Sequence, residues 1–397
     1  MTPTSTAPIE PKPLHFAIIG TGGIANSHAK ALSAQPGVVL TAAIDIDPGR
    51  SAAFAEKWNI GHTAATLAEA LEKAEVDAVA ICTPPSSHAP LALDALERGV
   101  HVVIEKPPAL SLHELAQLRE AEAASAGSVS CIFQHRFGAA AERVRGLAER
   151  GALGKPLVGV CNTLWFRDQA YFDVPWRGKW DVEGGGPTMG HGIHQFDLLL
   201  HLWGPWREVT AFASKLARRT NTEDVSAAVV RLESGALVTV VNSVISPRES
   251  SVIRLDYENA SIELEHVYGY TDADWRLTPA KGHEELAQEW PESGEPSRSS
   301  HADQYTAIVA SLRSGAPAPV TLAEASGTLE LAAAIYASAL TGRPITRGEI
   351  ASGNPFFERM DGLLDPWSID SEPVAADPAA EVAAEVESEI ASEEVSA

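Results

Sequence analysis

The stretch that decides the fold is Val100-His101-Val102-Val103-Ile104-Glu105-Lys106-Pro107. Four of its first five residues are apolar, which is typical of a strand buried on both faces of a parallel sheet. Two opposite charges follow, and Pro107 ends the strand because proline cannot donate a hydrogen bond to a neighbouring strand. Ligands of open α/β sheets bind at the carboxyl ends of strands, so Lys106 is a candidate acid/base group. A lone lysine at the end of a strand would more often form a structural salt bridge. Here the sequence on either side favours an acid/base role for Lys106.

Upstream, a short β-like run from Leu14 to Ile19 leads directly into Gly20-Thr21-Gly22-Gly23-Ile24-Ala25. This is the G-x-G-x-x-A dinucleotide fingerprint, in which Gly20 permits a tight turn and Gly22 lets a pyrophosphate approach the backbone. The helix predicted over residues 24–34 offers its N-terminal amides and dipole to the phosphates. We therefore assign Gly20, Thr21, Gly22, Gly23 and Ile24 to cofactor binding.

The next predicted strand, residues 38–44, ends at Asp45, about 20 residues beyond the glycines, where an acid hydrogen-bonds the adenosine ribose. A carboxylate at this place repels a 2′-phosphate, so Asp45 favours NAD over NADP. The alternative role, a helix cap, suits Asp47-Pro48 better because proline is preferred at the first helical position. Arg50 lies close enough to Asp45 to leave NADP open, and we include it among the cofactor-binding residues.

Strand and helix patterns alternate from residue 14 to residue 136, which predicts a doubly wound parallel sheet. Thr83, Pro84 and His88 fall in a strand-end loop that would face the nicotinamide half of the cofactor. His88 fits a surface position on the following helix almost equally well. Gln134, after the last predicted strand of this domain, is also assigned to cofactor binding.

Composition excludes several classes of protein. The 397 residues suffice for two or three domains, and a net charge of −23 argues against nucleic acid and anionic membranes as partners. Cys82, Cys131 and Cys161 form no CxxC pair, and no apolar run is long enough to span a membrane, so we expect a cytoplasmic protein. Residues 1–13 are predicted to be a flexible leader, and residues 371–397, with eight acids and no Lys or Arg, an acidic disordered tail.

The fingerprint, Thr83-Pro84-Pro85 with His88, and Glu105-Lys106-Pro107 together resemble the Gfo/Idh/MocA family, whose namesakes are glucose–fructose oxidoreductase and inositol dehydrogenase. The resemblance covers residues 14–136 and continues more loosely to about residue 347. It implies an N-terminal Rossmann domain (14–136) and a C-terminal α+β domain (137–370) with an open, mostly antiparallel sheet. It also implies NAD(P)-dependent hydride transfer at a secondary alcohol of a sugar, cyclitol or glycoside.

The same resemblance implies roles for individual residues and for the assembly. Lys106 would assist proton transfer and contact the reacting hydroxyl, and Glu105 would lie beside the nicotinamide. The second sheet would associate two or four copies of the chain. Its strands are predicted between residues 208 and 264, where several runs alternate apolar and polar residues.

A loop rich in aromatic and basic residues follows a further predicted strand of the second domain, residues 157–166. Such residues can stack on sugar rings and donate hydrogen bonds to hydroxyls, although they could equally anchor the loop. We assign Arg167, Trp176 and Trp180, together with Arg136, to substrate binding.

The second catalytic segment predicted from the family is Gly184-Gly185-Gly186 followed by Gly192, His194 and Asp197 in register. His194 takes the position of the family's catalytic histidine, and His191, three residues earlier, would share its helix face. Both are assigned to catalysis and to substrate binding. The segment departs from the family at Gly190, where many members carry an acid, and His191 is the adjacent candidate to supply a polar group. A metal site at His191, His194 and Asp197 would need a further ligand, so we assign no metal.

Two other functions stay open on the same scaffold. One is a glycoside-cleaving enzyme that uses NAD transiently, oxidising the sugar so that elimination breaks the glycosidic bond. The other is a non-catalytic sugar or dinucleotide sensor, which Gly190 motivates and the retention of Lys106 and His194 opposes.

Overall fold

The computed structural model describes residues 12–290 and 298–367. The predicted acidic tail, residues 371–397, lies outside the described residues. Of the predicted leader, residues 1–13, only residues 12 and 13 are described. The boundary predicted between residues 136 and 137 stays a prediction.

The N-terminal part is a six-stranded sheet in which every pairing is parallel, in the order β3-β2-β1-β4-β5-β6. This is the strand order of a dinucleotide-binding Rossmann sheet, so the predicted fold class is confirmed for this part. The order reverses between β1 and β4, which opens a crevice beyond their carboxyl ends. The strands are β1 Leu14–Ile19, β2 Val38–Ile44, β3 His62–Ala64, β4 Ala78–Ile81, β5 His101–Ile104 and β6 Val129–Cys131.

Five helices connect these strands: α1 Gly23–Ser33, α2 Pro48–Trp58, α3 Leu67–Lys73, α4 His88–Glu97 and α5 Leu112–Ala124. The predicted cap of α2 is confirmed, because the side chain of Asp47 accepts hydrogen bonds from the backbone of Gly49 and Arg50 with Pro48 at the first helical position. The Rossmann sheet and its helices thus follow local sequence signals closely.

The second part is an eight-stranded sheet, in the order β13-β12-β11-β7-β10-β9-β8-β14. Only β7 and β10 pair in parallel, so the sheet is mostly antiparallel, as predicted. Its strands are β7 Pro156–Phe166, β8 Trp206–Ser214, β9 Val225–Leu232, β10 Leu237–Ser243, β11 Ile245–Tyr257, β12 Ala260–His266, β13 Trp275–Pro279 and β14 Ile345–Thr346.

The remaining helices are α6 Ala139–Glu149, α7 Gln169–Asp173, α8 Trp180–Glu183, α9 Ile193–Trp203, α10 His301–Ser314, α11 Leu322–Thr341 and α12 Pro355–Glu358. Helix α10 follows strands β7 to β13 of the second sheet in the chain but packs on the first sheet, where Tyr305 and Ile308 join the buried cluster around Phe16 and Ile18. A late part of the chain therefore contributes side chains to the core of the Rossmann part.

Cys82, Cys131 and Cys161 are buried free thiols. Among residues 12–290 and 298–367, none of the helices has both the length and the apolar character that a membrane span requires.

Candidate active site

The phosphate-binding turn has the geometry that the fingerprint predicts. Gly20 adopts a φ of +85°, and a Cβ at this position would lie 2.6 Å from Cγ2 of Thr83, so only glycine fits. At Gly22 and Gly23, by contrast, a Cβ would meet no heavy atom of the described residues within 4 Å. This open space lies at the start of α1, whose N-terminal amides are not capped by a side chain of the described residues, and such a helix start suits a pyrophosphate. The residues present therefore fit a dinucleotide.

Asp45 lies at the end of β2 with its carboxylate fixed by four hydrogen bonds. Oδ2 accepts from the backbone N and Oγ1 of Thr21 at 2.9 and 2.8 Å. Oδ1 accepts from the backbone of Asp47 and from the guanidinium of Arg50, each at 2.9 Å. Burial opposes ionisation of Asp45, but the hydrogen bonds outweigh it and lower the pKa of the carboxyl. The structure thus brings Thr21, Asp45 and Arg50 together at one edge of the crevice.

The loop after β4 is held in place by His88. Its Nδ1 lies 2.8 Å from the carbonyl oxygen of Pro107, and its Nε2 lies 2.8 Å from that of Thr83. The ring is almost fully buried and joins the Thr83-Pro84 loop to the turn after β5, where the Lys106–Pro107 peptide bond is cis. His88 therefore supports the nicotinamide side of the crevice and does not point into it.

Glu105 is a buried carboxylate surrounded by donors. Oε1 lies 2.8 Å from Nε2 of His28 and 3.1 Å from Nε2 of His301, and Oε2 accepts from the backbone of Lys106 at 3.0 Å. Nδ1 of His28 is in turn 2.7 Å from the hydroxyl of Tyr305. Burial alone would raise the pKa of Glu105, but the two imidazoles outweigh it and hold that pKa well below its usual value. The carboxylate is thus an ionised, immobilised group directly behind Lys106.

Lys106 reaches across to the second part of the chain. Its Nζ donates to the carbonyl oxygen of Gly190 at 3.0 Å. Burial lowers the pKa of Lys106; the negative charge of Glu105 opposes this effect and the positive charge of Arg177 adds to it. A lysine whose pKa is lowered by burial can act as a base near neutral pH.

Gly190 belongs to a π-helical turn, Thr188–Gly192, that precedes α9. A Cβ at this position would meet no heavy atom of the described residues within 4 Å. The place of the family's acid, next to the carbonyl oxygen that Lys106 contacts, therefore has room for a Cβ.

His194, near the start of α9, is almost fully buried and stacks on His135 with ring centroids 4.8 Å apart and planes at 27°. Neither ring nitrogen of His194 has a hydrogen-bond partner among the described residues. Burial lowers the pKa of His194 well below its usual value, and the charge of Lys106 acts in the same direction. His194 is therefore a neutral imidazole within electrostatic range of the lysine.

His191 occupies a different environment from His194, although the two were predicted to share a helix face. Its ring lies edge-on to Trp165 at a centroid distance of 4.9 Å. Burial is the largest effect that holds the pKa of His191 well below its usual value. The positive charges of Arg167, Lys106 and Arg177 lower this pKa further. The π-helical turn, which the sequence did not predict, separates the two histidines into neighbouring subsites.

The predicted substrate loop forms an aromatic and basic cluster around His191. The guanidinium of Arg177 lies 3.9 Å from the ring centroid of Trp176 and 4.2 Å from that of Tyr171. Arg167 lies over Trp165 and donates to Oε1 of Glu249 at 3.1 Å. The cluster thus brings two of the predicted substrate residues, Arg167 and Trp176, next to the candidate catalytic groups.

Arg136 and Trp180 are not brought to the same place. Arg136 is 6% exposed and makes two 2.7 Å hydrogen bonds to the buried carboxylate of Asp197. Trp180 donates to the carbonyl oxygen of Asn221 and stacks on Trp367. Both side chains have structural partners that the sequence could not reveal, and their assignment to substrate binding stays a prediction without support from these positions.

Sequence reasoning missed several residues of the site. His28 and His301 hold Glu105, and Glu183 is a buried acid whose charge acts on Lys106. His135 was passed over between Gln134 and Arg136, although a histidine directly after a strand end is a signal that could have been used. Gln134 itself is buried, and its Oε1 has no hydrogen-bond partner in the described ranges.

Comparison with known proteins identifies the family. A family model described as "Oxidoreductase family, NAD-binding Rossmann fold" matches residues 14–133, and the Gfo/Idh/MocA C-terminal domain model matches residues 141–265. The chain belongs to the Gfo/Idh/MocA family of NAD-binding oxidoreductases, as the sequence motifs predicted.

Two curated relatives illustrate the range of the family. The chain is 27% identical to myo-inositol 2-dehydrogenase of Thermotoga maritima over 235 residues, which cover 58% of this chain and 68% of the relative. It is 29% identical to D-glucoside 3-dehydrogenase of Escherichia coli over 196 residues, which cover 48% of this chain and only 54% of that relative. Both matches leave part of each protein uncompared.

Among solved structures, the WlbA dehydrogenase of Bordetella pertussis in complex with NADH and UDP-GlcNAcA superimposes with a TM-score of 0.76 at 25% identity. The superposition covers 84% of this chain and 99% of that chain. The arrangement of two sheets around one crevice is therefore shared over nearly the whole of that enzyme.

Proposed function

We propose that this protein is an NAD-dependent dehydrogenase that oxidises a secondary alcohol of a sugar, cyclitol or glycoside. The observation that carries the proposal is the meeting of Lys106, from the Rossmann sheet, with the turn that leads to His194, from the second part of the chain. Family membership supports the reaction class. The named activities of the relatives, on inositol, glucosides and a sugar nucleotide, support the substrate class.

Lys106 is the proton acceptor in this proposal. Its lowered pKa makes the neutral amine accessible, and the contact with Gly190 holds Nζ at the boundary between the two parts of the chain. His194, held neutral by burial, donates or accepts a hydrogen bond at the reacting hydroxyl. The bound nicotinamide cofactor supplies the acceptor for the hydride. The work of the chain's own residues is therefore to orient the alcohol and to remove its proton.

The carboxylate of Asp45 supports NAD as the preferred cofactor. It is ionised and held at the end of β2, where a 2′-phosphate would meet a negative charge at short range. Arg50 offers the opposite charge, but its guanidinium already donates to Asp45. In this pair the carboxylate of Asp45 is therefore better placed to bind a ribose than the guanidinium of Arg50 is to bind a 2′-phosphate.

The second sheet supports an assembly of two or four copies of the chain. The pairing register of β8, β9, β10 and β7 places four apolar side chains on one face of this sheet. They are exposed to solvent: Phe212 (76%), Val229 (50%), Leu237 (41%) and Val158 (50%). An apolar face of this kind on an open sheet marks a protein–protein interface more often than free surface. A second copy of the chain fits it, because a face that pairs with itself satisfies two-fold symmetry.

The decisive experiment is a spectrophotometric screen. The purified protein is mixed with NAD and a panel of hexoses, cyclitols and methyl glycosides, and formation of NADH is followed. We expect one or more polyols to be oxidised, and we expect Lys106→Met to lose most of this activity while binding NADH as tightly as the wild type. A wild-type protein that binds NADH but oxidises no member of the panel would contradict the proposal.

The same panel, assayed also for released sugar and for sugar binding, separates the two other functions left open by the sequence. Release of free sugar from a glycoside without net NADH would identify the transient-oxidation enzyme. Sugar binding without turnover would identify a sensor, the alternative suggested by a glycine at position 190 in place of the family's acid.

A further inference from the structure

We propose that the acidic terminal segment, residues 368–397, docks on a basic surface beside the candidate active site and covers the approach to it. The basic surface consists of two neighbouring stretches of the chain, residues 167–180 and 215–221. The docking is independent of the proposed function. The covering role rests on the proposed function, because it concerns the substrate that must pass the docked segment.

Hydrogen bonds tie the two stretches of the basic surface together. Nε2 of Gln169 donates to the carbonyl oxygen of Arg219 at 3.2 Å, and Oε1 of Gln169 accepts from the backbone N of Arg219 at 2.9 Å. The backbone N of Asn221 and Oγ1 of Thr220 both donate to the carbonyl oxygen of Gly178, at 3.0 and 3.1 Å. The side chains of the two stretches therefore belong to one surface.

This surface is basic although the chain is strongly acidic. The two stretches together contain six Lys or Arg residues and two acids, whereas the whole chain has a net charge of −23. Both acids already serve the surface itself. Asp168 accepts from the backbone N of Tyr171, and Asp173 accepts from the side chain of Gln169. An anion that approaches this surface is therefore attracted by a local excess of positive charge.

Four of the six cations lack a carboxylate partner. Arg167 and Arg177 form salt bridges with Glu249 and Glu183. Within residues 12–290 and 298–367, no carboxylate lies within salt-bridge distance of the other four cations, which are Lys179, Lys215, Arg218 and Arg219. The side chains of Lys179 and Arg219 are exposed, and Nε of Arg218 is buried without a partner among the described residues. The surface thus offers four cations to an anionic partner.

The described part of the chain ends on this surface. The carbonyl oxygen of Trp367 accepts from Nζ of Lys215 at 3.0 Å, and its ring stacks on Trp180 with centroids 6.1 Å apart and planes at 16°. The terminal segment begins at the next residue and contains nine acids and no Lys, Arg or His. Three residues of extended chain span at most about 11 Å, so Asp370 lies close to the surface whatever path the segment takes.

The covalent attachment favours this occupant over an anion in solution. A single exposed ion pair is weak and is screened by salt. A segment attached at the surface presents its acids there at an effective concentration on the order of millimolar, and several pairs can form together. Nine acids facing four unpaired cations therefore bind through many weak contacts, and this binding should disappear at high ionic strength.

The basic surface also carries residues of the candidate active site. Trp176 and Arg177 belong to the aromatic and basic cluster around His191, and Lys179 lies two positions further along the chain. Arg218 lies over the ring of Phe166, next to Arg167 of the same cluster. A segment docked on these cations lies beside that cluster and must be displaced by an entering substrate. We therefore expect docking to raise KM and to leave kcat unchanged.

The first test is cross-linking of the full chain with a water-soluble carbodiimide, which joins a carboxylate to an amine only where the two are in contact. At low salt we expect peptides that join the terminal segment to Lys179 or Lys215. In 1 M NaCl, where charges are screened beyond about 3 Å, we expect these peptides to disappear. Lys155 and Lys281, also exposed, are internal controls that should not join the segment.

The second test measures KM for the best polyol found in the screen. In one variant every Glu and Asp of the terminal segment is replaced by Gln or Asn, which leaves the described residues untouched. At low salt its KM should be severalfold lower than that of the wild type, and added NaCl should bring the wild type to the same value. Lys179→Gln combined with Arg219→Gln should have the same effect, whereas Lys155→Gln combined with Lys281→Gln, the matched control, should not.

Each contrary result overturns a stated part of the proposal. Absence of the cross-links at low salt, or equal cross-linking to Lys155 and Lys281, overturns the docking. Cross-links found only between labelled and unlabelled copies in an isotope mixture overturn docking on the segment's own chain. Cross-links accompanied by an unchanged KM in both variants overturn the covering role. A wild type that oxidises no polyol overturns the proposed function, and the cross-links still decide the docking.

Discussion

Oε1 of Glu105 lies 3.1 Å from Nε2 of His301, a residue 196 positions later in the chain, and 2.8 Å from Nε2 of His28. One imidazole comes from α1 of the fingerprint and the other from the first turn of α10. The carboxylate behind Lys106 is therefore held by residues from two distant parts of the chain. Its fixed negative charge is the main influence that opposes the effect of burial on the lysine.

The first prediction follows from that charge. In Glu105→Gln the opposing charge is lost, so the pKa of Lys106 should fall further below its usual value. Because the neutral amine is the base, the acidic limb of the pH profile of kcat/KM should move to lower pH. The measurement is kcat/KM between about pH 5 and 10 with saturating NAD. His301→Asn, which can still donate to Glu105, serves as the control and should retain the wild-type limb; movement to higher pH in Glu105→Gln would refute the assignment.

The second prediction concerns cofactor choice. Asp45→Ala should weaken NAD binding by about 10- to 100-fold, because a hydrogen bond to a charged group is lost, and should relax discrimination against NADP. Dissociation constants for NADH and NADPH give the ratio directly. Asp47→Ala, which removes only the cap of α2, should lower the melting temperature without changing that ratio. Tighter NADPH binding by the wild type would transfer the decisive role to Arg50.

The third prediction concerns the exposed sheet face. Phe212→Glu or Val229→Glu should shift the protein toward monomers, because a charge buried in an apolar interface without a partner is costly. Light scattering after size-exclusion chromatography reports the mass of the species. Val39→Glu, a half-exposed position on β2 of the first sheet, is the matched control. A wild type that is already monomeric at micromolar concentration would exclude the interface.

The parts of the site that the sequence predicted well are those written in contiguous residues. The fingerprint from Gly20 to Ala25 and the strand end at Glu105-Lys106-Pro107 carry their own geometry, since turn, strand and charge follow one another along the chain. Asp45 could be placed from its spacing to the glycines. In each case the signal is a short motif or a fixed spacing along the chain.

The parts that could not be predicted depend on distant pairings. Nothing near Arg136 indicates that Asp197, 61 residues later, will occupy its guanidinium. His301 reaches Glu105 only because α10 packs back on the first sheet. The separation of His191 from His194 depends on one π-helical turn, whose hydrogen bonds leave no signature in a pattern of apolar residues.

The fourth prediction restores the missing acid. A Cβ at Gly190 would meet no heavy atom of the described residues within 4 Å, so we expect Gly190→Asp to fold with a nearly unchanged melting temperature. The new carboxylate would lie near Nζ of Lys106 and should raise the pKa of the lysine, because a nearby opposite charge favours the ammonium form. The acidic limb of kcat/KM should then move to higher pH, opposite to Glu105→Gln. Gly190→Asn, of equal size but uncharged, is the control and should leave the limb in place.

The last prediction distinguishes the two histidines. His194 stacks on His135, has both nitrogens unpaired among the described residues, and is held neutral by burial. His191 instead packs against Trp165 within the aromatic and basic cluster. His194→Ala should therefore lower kcat/KM by on the order of 10²–10⁴-fold, as expected for a group that acts on the transferred proton. His191→Ala should cost less and act mainly through KM.

The measurement is kcat and KM for both variants on the best polyol with saturating NAD, with melting temperatures to exclude unfolding. If His191→Ala proves the more damaging to kcat, His191 has taken over the function of the missing acid, and the two roles must be exchanged.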